Sequence, residues 1–293
     1  MIKVRVSTVT SADWRVRSMT VPAGFGPFAR LALGIFSPRQ PILGTELAGD
    51  IEAVGKDVRL FKVGDPVFGF SGAKMGSYVE YKCMPEDGLL ALKPAQLSYE
   101  EAAALSFGGT TALDFLRRGK IQKGDQVLIN GAAGGVGSAA VQLAQHFGAE
   151  VTAVCGPGNI DFVKTLGATH VIDYTRDDFT KGGKTYDIIL DTAGTAPYAR
   201  SKDTLKAHGR LLLVLGSFWD LIQAPWVSMA GKTKVIAGPV SERPEDLRFL
   251  ADLAEKGEFR PAIDRRYPLE KIVEAHHYGD AGHKRGNLII QIA

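Results

Sequence analysis

The chain has 293 residues, 45% apolar and 23% charged, a balance that supports a substantial core and excludes a wholly disordered protein. Lys and Arg number 35 against 32 Asp and Glu, and a net charge of only +3 argues against a dedicated polybasic nucleic-acid or membrane surface. Two cysteines, Cys83 and Cys155, exclude a disulfide framework and a multi-cysteine zinc site. Glycine is in excess, with 34 positions, about 12% of the chain against a usual ~7%.

Met1-Ile2-Lys3-Val4-Arg5-Val6 alternates apolar and basic residues, the pattern of a strand and not of an export signal. No uninterrupted apolar run reaches the ~18 residues of a membrane span. The richest stretch, 211–230, is broken by Asp220 and Gln223, so a cytoplasmic protein is expected. The first hundred residues read as short strands punctuated by Gly and Pro, with strands expected over Leu47 to Val54 and Ser77 to Tyr81. Ser98-Tyr99-Glu100-Glu101 carries the signature of a capped helix start.

Beyond Gly124, strands and helices alternate. Strands are expected at Gln126 to Asn130, Glu150 to Val154, His170 to Asp173, Tyr186 to Asp191 and Arg210 to Leu215. Helices are expected at Gly135 to Phe147, Ile160 to Leu166, Pro197 to Ala207 and Pro244 to about Lys256. The tail adds a helix around Leu269 to Tyr278 and a strand at Leu288 to Ile292. Continuous Val/Ile/Leu strands alternating with helices predict an α/β fold with a doubly wound parallel sheet.

Asn130-Gly131-Ala132-Ala133-Gly134-Gly135-Val136-Gly137 sits between a strand and a helix, the context a dinucleotide fingerprint requires. Gly134 would admit a pyrophosphate to the backbone, and Gly137 would pack helix on strand. Ala132 occupies the first glycine position of the usual pattern, so a purely structural turn stays open. The end of the next strand, Val154 to Asn159, lacks the acid that holds NAD ribose hydroxyls. That favours NADP(H) over NAD(H), with Asn159 and Tyr174 as candidate phosphate partners.

With these motifs, and with Pro41-Ile42-Leu43-Gly44-Thr45-Glu46-Leu47-Ala48-Gly49 and Phe61-Lys62-Val63-Gly64-Asp65-Pro66-Val67, essentially the whole chain resembles one family. It is the zinc-free quinone oxidoreductase branch of the medium-chain dehydrogenase/reductase superfamily. The resemblance implies a Rossmann nucleotide domain plus a mostly β, GroES-like catalytic domain. The catalytic domain would comprise 1–98 and 258–293, interrupted by the nucleotide domain at 99–257. It implies NADPH-dependent hydride transfer to a quinone or an α,β-unsaturated carbonyl, and a homodimer formed through sheet edges near Val235 to Pro239. Thr45 stands where zinc-dependent relatives have a His ligand, and Thr10 lies where they have a Cys; threonine is a poor zinc ligand, so no metal is expected.

Thr10 and Asp13 match positions used near the nicotinamide, Thr10 as a hydrogen-bond donor to substrate; for Asp13 a helix-cap role is the alternative. Trp14 and Phe36 are candidate pocket residues, with a core role as alternative. Cofactor contacts are expected from Thr111 (in a stretch resembling a family loop), Ala133, Gly134, Gly135, Val136, Gly216 and Ser217. Lys284 and Arg285 are candidates for the adenosine phosphate, or else a solvated basic tail. The histidines, including His276, His277 and His283, read as surface or tail residues.

Family members usually begin with an N-terminal hairpin that this sequence does not show before Ile2, through either a mis-assigned start or a lost segment. Loss would leave strand edges unpaired. It also keeps open a second reading: a nucleotide-binding interaction protein with little catalysis.

Overall fold

The computed structural model describes residues 1–34, 39–230, 233–282 and 284–292. In chain order the elements are β1 (Ile2–Val9), α1 (Ser11–Ser18), α2 (Gly26–Leu33), β2 (Glu46–Ile51), β3 (Pro66–Phe70), β4 (Tyr81–Lys82), β5 (Leu90–Leu92) and α3 (Tyr99–Arg118). Then follow β6 (Gln126–Asn130), α4 (Gly135–His146), β7 (Glu150–Cys155), α5 (Ile160–Thr165), β8 (His170–Asp173), β9 (Tyr186–Asp191), α6 (Tyr198–Ser201), β10 (Leu205–Leu213), α7 (Phe218–Ala230) and β11 (Lys234–Ala237). The chain ends with α8 (Pro244–Glu255), β12 (Ile263–Pro268), α9 (Ile272–Asp280) and β13 (Asn287–Gln291). Among the described residues no helix is long and apolar enough to cross a membrane.

The chain divides into two compact units. The first comprises 1–21, 26–110 and 242–293; the second comprises 22–25 and 111–241. One division falls inside α3, which runs unbroken from Tyr99 to Arg118.

The first unit is built on a mostly antiparallel sheet in the order β12-β13-β1-β2-β3-β5, with β4 also on β1. β1 is paired on both edges, by β2 on one side and by β13 and β4 on the other. The outer strands of the sheet order are β12 and β5. A register shift between Val4 and Val6 changes the character of β1. Before it, apolar residues alternate inward; after it, Ser7, Thr8, Val9 and Thr10 are all buried. That run brings polar side chains into the interior of the unit.

The second unit is an all-parallel six-stranded sheet in the order β11-β10-β9-β6-β7-β8. Chain order reverses between β6 and β9, which is the topological switch point of a doubly wound sheet. Leu128, Val154, Ile189, Leu211 and Leu213 are buried in its core, as their continuous apolar runs predict.

Three sequence expectations need correction. The helix expected over Pro197 to Ala207 shrinks to α6 and a single 3₁₀ turn over Lys202–Thr204. β10 begins at Leu205, because Leu205 pairs with Tyr186 before a left-handed residue, His208 (φ 65), shifts the register. The strand expected at Ser77 to Tyr81 survives only as Tyr81–Lys82. The N–H groups of Ser77 and Tyr78 donate instead to Leu43 O, pinning this stretch to a turn. Finally, Gly108 to Ala112 is not a loop but the middle of α3. Gly109 is small there because a Cβ would stand 2.7 Å from Leu250 Cδ1, not because the chain turns.

Gly137 is fixed by packing. An added Cβ would lie 2.1 Å from Gly131 O and 2.8 Å from Ala132 Cα, both backbone atoms with no room to move. Gly137→Ala is therefore expected to cost about 3 kcal/mol or more. Thermal unfolding of the variant beside the wild type checks it.

Candidate functional site

In the second unit, the carboxyl ends of the parallel strands collect the expected cofactor residues. Ala133 to Val136 follow β6, Asn159 follows β7, Tyr174 follows β8, and Gly216 and Ser217 follow β10. Gly134 is the N-cap of α4 and has no side chain to satisfy the helix's first N–H groups. Ser138 N donates the first intrahelical bond, to Gly134 O. The N–H groups of Gly135, Val136 and Gly137 come before it, at the positive end of the helix dipole.

Gly134 contrasts with Gly137. Its backbone is ordinary extended conformation (φ −74, ψ 177), and a Cβ would find nothing nearer than Gly131 O at 3.7 Å. Nothing inside the protein requires glycine at 134, whereas a pyrophosphate approaching the backbone would. The residues present thus fit a dinucleotide.

Two residues that the sequence reading missed frame this edge. Asn130, at the end of β6, donates from Nδ2 to Asp191 Oδ1 and to Thr195 Oγ1, each at 2.8 Å. Buried Asp191, at the end of β9, also accepts N–H groups from Ala193, Gly194 and Ala196. Asn130 and Asp191 join the two strands that flank the switch point. The apolar run ending in Asn130 and the Asp-Thr-Ala-Gly turn after β9 were the available signals.

Tyr174 is 61% exposed, and its hydroxyl would stand 3.2 Å from a Cβ placed on Gly156. Asn159 caps α5 without a side-chain capping bond. Ser217 is committed to a capping box at the start of α7: its hydroxyl donates to Asp220 Oδ2 and accepts from Asp220 N. A Cβ on Gly216 would come 3.0 Å from Ala237 Cβ, so β11 also crowds that glycine. Thr111 is buried within α3. Cys155 is buried at the end of β7, where burial pushes its thiol up to about 11, whereas Cys83 is exposed.

In the first unit, Thr10 and Asp13 form one knot. Thr10 is the N-cap of α1 and Asp13 its third residue, in a reciprocal capping box. Asp13 Oδ2 accepts from Thr10 N at 2.8 Å and Thr10 Oγ1 at 2.6 Å, and Oδ1 accepts from Gly44 N at 2.8 Å. The carboxylate thereby ties the helix start to the turn that carries Thr45. Thr45 Oγ1 lies 3.3 Å from Thr10 Oγ1. Since the single Thr10 hydroxyl proton goes to Asp13, Thr45 is the donor in that pair. Gly44 (φ +91) admits the close approach of Tyr78, whose ring would be 2.7 Å from a Cβ there.

Beside the knot lies Glu46, the first residue of β2, fully buried and not singled out from the sequence although it stands in the quoted Pro41-to-Gly49 stretch. Its carboxylate accepts from Thr8 Oγ1 and from the Phe107 N–H. Burial raises it to about 7, with the neighbouring Asp13 charge adding to the rise. Burial also raises Asp13, opposed by the bonds from Thr10 and Gly44.

Lys284, half-buried in the segment before β13, donates from Nζ to Gly286 O at 3.0 Å. Desolvation lowers its ammonium while Glu46, Asp13 and Asp264 favour its charge. Arg285 lies on the same unit, and its N–H donates to Asp264 Oδ2. Trp14 is half-buried on α1 with the Arg15 guanidinium over its ring, 5.2 Å from the centroid. Phe36 and His283 lie outside the described residues. His276, expected at the surface, is 6% exposed and packs edge-on against Tyr78, because α9 turns that face inward.

Among the described residues no group of three or more His, Cys, Asp or Glu is placed to hold a metal ion. The hydroxyls of Thr10 and Thr45 are engaged with Asp13 and with each other, a donor set unsuited to zinc.

A raised carboxylate has a definite pH signature. Glu46 is protonated more tightly in the folded chain than in the unfolded one. Its contribution is thus fully present below about 4.5 and is lost as pH rises toward about 7, by about 3 kcal/mol in total. Glu46→Gln should flatten that slope. Urea unfolding midpoints at several pH values across this window measure it.

The comparisons with known proteins point to one superfamily. The family described as "Alcohol dehydrogenase GroES-like domain" matches residues 1–94, and "Zinc-binding dehydrogenase" matches residues 166–290. A chloroplastic quinone-oxidoreductase, QR1, of Triphysaria versicolor is 29% identical over 99% of this chain and 89% of its own length. A 2-methylene-furan-3-one reductase of Solanum lycopersicum is 34% identical over 87% of this chain and 64% of its own. The solved quinone oxidoreductase of Coxiella burnetii superposes with a TM-score of 0.88 at 29% identity, covering 100% of this chain and 90% of that one. With a mostly antiparallel sheet in one unit, a doubly wound parallel sheet in the other and relatives matched along almost the whole chain, the chain belongs to the medium-chain dehydrogenase/reductase superfamily.

Proposed function

We propose that the protein is a zinc-free, NADPH-dependent reductase of quinones or α,β-unsaturated carbonyls, acting as a homodimer. The observation that carries the cofactor half is Gly134, a glycine needed by a bound phosphate and by nothing in the chain. The bound nicotinamide supplies the hydride. The second unit's part is to hold the pyrophosphate on the first turn of α4. NADPH is favoured because no carboxylate stands at Gly156 to Asn159 to repel a 2′-phosphate, and the Tyr174 hydroxyl lies beside that turn.

The first unit's part is a hydrogen bond to the substrate oxygen as negative charge develops there. The Thr10 proton is held by Asp13, so the donor is Thr45, whose one proton turns from the long 3.3 Å bond to Thr10 toward the substrate oxygen. A hydroxyl is a weaker electrophile than a metal ion. That suits quinones and enones, whose negative charge is delocalised, better than simple ketones. The names of the two relatives and of the solved neighbour, quinone oxidoreductases and a 2-methylene-furan-3-one reductase, support the same acceptor classes.

Support for a dimer comes from the second unit. Strand β11 ends the parallel sheet. Helix α7, which packs on β11 through Ala224 and Val227, turns Trp219, Trp226 and Met229 outward at 62%, 72% and 84% exposure. Such a stripe beside a sheet edge is the composition of a subunit interface.

Two experiments test this reading. NADPH should bind, as seen by its fluorescence, and be oxidised faster than NADH across a panel of quinones and enals. Thr45→Val should lower kcat roughly a hundredfold, and Thr45→Ser should restore most of it. Binding without turnover of any acceptor would overturn the enzyme reading and leave an interaction protein. In sedimentation velocity the wild type should run as a dimer and Trp226→Asp as a monomer. A monomeric wild type at micromolar concentration would remove the dimer from the proposal.

A further inference from the structure

In the second unit one carbonyl carries the geometry of the glycine-rich turn. Gly131 follows β6 in the left-handed region, at φ +81. Its N–H and that of Ala132 both donate to Val154 O, at 3.2 and 3.1 Å, which ties the turn to β7. Its carbonyl oxygen accepts the Gly134 N–H at 3.2 Å and so closes the turn. The same oxygen is the atom against which Gly137 packs. Gly134 is the N-cap of α4, so the place of the Gly131 carbonyl sets where the helix starts and where the N–H groups of Gly135 and Val136 point.

A further group meets this carbonyl from the neighbouring strand. Thr192, half-buried, is the residue after β9, and β9 pairs with β6 through Asp191 and Asn130. Its hydroxyl has one proton, shared between Asn130 O at 2.8 Å and Gly131 O at 3.1 Å. Its own N–H donates to Asn130 O at 3.0 Å. A Cβ on Gly131 would stand 2.6 Å from Thr192 Oγ1, so the hydroxyl fills the flank of the turn that glycine leaves open. The Thr192 backbone is fixed in its turn, because the preceding Asp191 carboxylate gathers the N–H groups of Ala193, Gly194 and Ala196. Asn130 and Asp191 tie the strand ends together; Thr192 reaches the turn itself.

We propose that Thr192 is a positioning residue for the nucleotide, its hydroxyl pinning the Gly131 carbonyl so that the first N–H groups of α4 converge on the pyrophosphate. Donors already fixed in place bind an anion without first losing their own conformational freedom. With the hydroxyl gone, Gly131 O keeps the Gly134 N–H but loses its lateral hold. The turn then gains freedom, and the N–H groups of Gly135 and Val136 lose their common aim. The role in binding rests on the nucleotide reading of Gly134. The hold of Thr192 on the turn does not.

The test compares Thr192→Val, which removes the hydroxyl at nearly constant volume, with Thr192→Ser, which keeps it. In the protein without nucleotide, Gly134 amide hydrogen exchange should speed up roughly tenfold in the Val variant and stay near wild type in the Ser variant. The Kd for NADPH, read from its fluorescence, should rise roughly tenfold in the Val variant and stay within about twofold in the Ser variant. In turnover the KM for NADPH should rise in step, with kcat at saturating NADPH and the KM for the acceptor little changed. A general loss of stability would not give that split. A folded Val variant with wild-type NADPH affinity overturns the inference. If the Val variant does not fold, Thr192→Ala repeats the comparison. If neither folds, NMR of the wild-type Thr192 hydroxyl proton decides: a proton protected from exchange and close to the Gly134 N–H supports the proposal, and one exchanging freely with water overturns it. Should the wild type bind neither NADPH nor NADH, the nucleotide reading fails on its own readout. Faster Gly134 exchange in the Val variant would then still support the hold of Thr192 on the turn, and unchanged exchange would overturn that too.

Discussion

The first unit depends on a single carboxylate placed where carboxylates are expensive. Asp13 is buried, yet three donors converge on its two oxygens, and they come from a helix start and from a turn thirty residues away in sequence. That convergence joins two jobs that are usually separate. The same side chain caps α1 and anchors the Gly44–Thr45 turn. A capping role and a site role were alternatives for Asp13 on the sequence; the geometry shows the cap and adds an anchor on Gly44. The register shift in β1 prepares this arrangement, because only after it do Ser7, Thr8 and Thr10 all enter the interior.

The second unit solves a different problem, that of presenting backbone donors at one edge of a parallel sheet. Its strands carry the apolar core, and their carboxyl ends carry nearly all the polar detail. Asn130 and Asp191 hold adjacent strand ends together, so that the turn after β6 and the turn after β9 are braced against each other. A phosphate-binding turn works by fixed N–H groups, and fixed groups need such bracing.

Much of this was legible in the sequence. The strands at 126–130, 170–173 and 186–191 were readable because fully buried parallel strands are continuous apolar runs bounded by breakers. The capped start of α3 was readable because Ser98 and Glu101 form a reciprocal pair, and the structure shows both halves of it. The stretch from Pro197 misled, since its helical composition is overridden by the pairing of Leu205 with Tyr186. Gly108 to Ala112 misled because glycine pairs suggest turns, while here Gly109 makes room for Leu250. Glu46 was beyond reach for a deeper reason. Its burial and the bond it accepts from the Phe107 N–H, 61 positions away in the chain, exist only after tertiary folding.

The two glycines of the phosphate-binding turn are held by different forces, and that difference outlasts any one protein. Gly137 is demanded by the fold, so it should persist in every descendant that still folds. Packing leaves Gly134 free, so on the proposed reading only the nucleotide demands it, and a lineage that abandoned nucleotides would be free to replace it. Position 134 therefore works as a molecular fossil marker. Where it drifts to bulkier residues beside an intact position 137, selection for the cofactor has lapsed while selection for the scaffold continues.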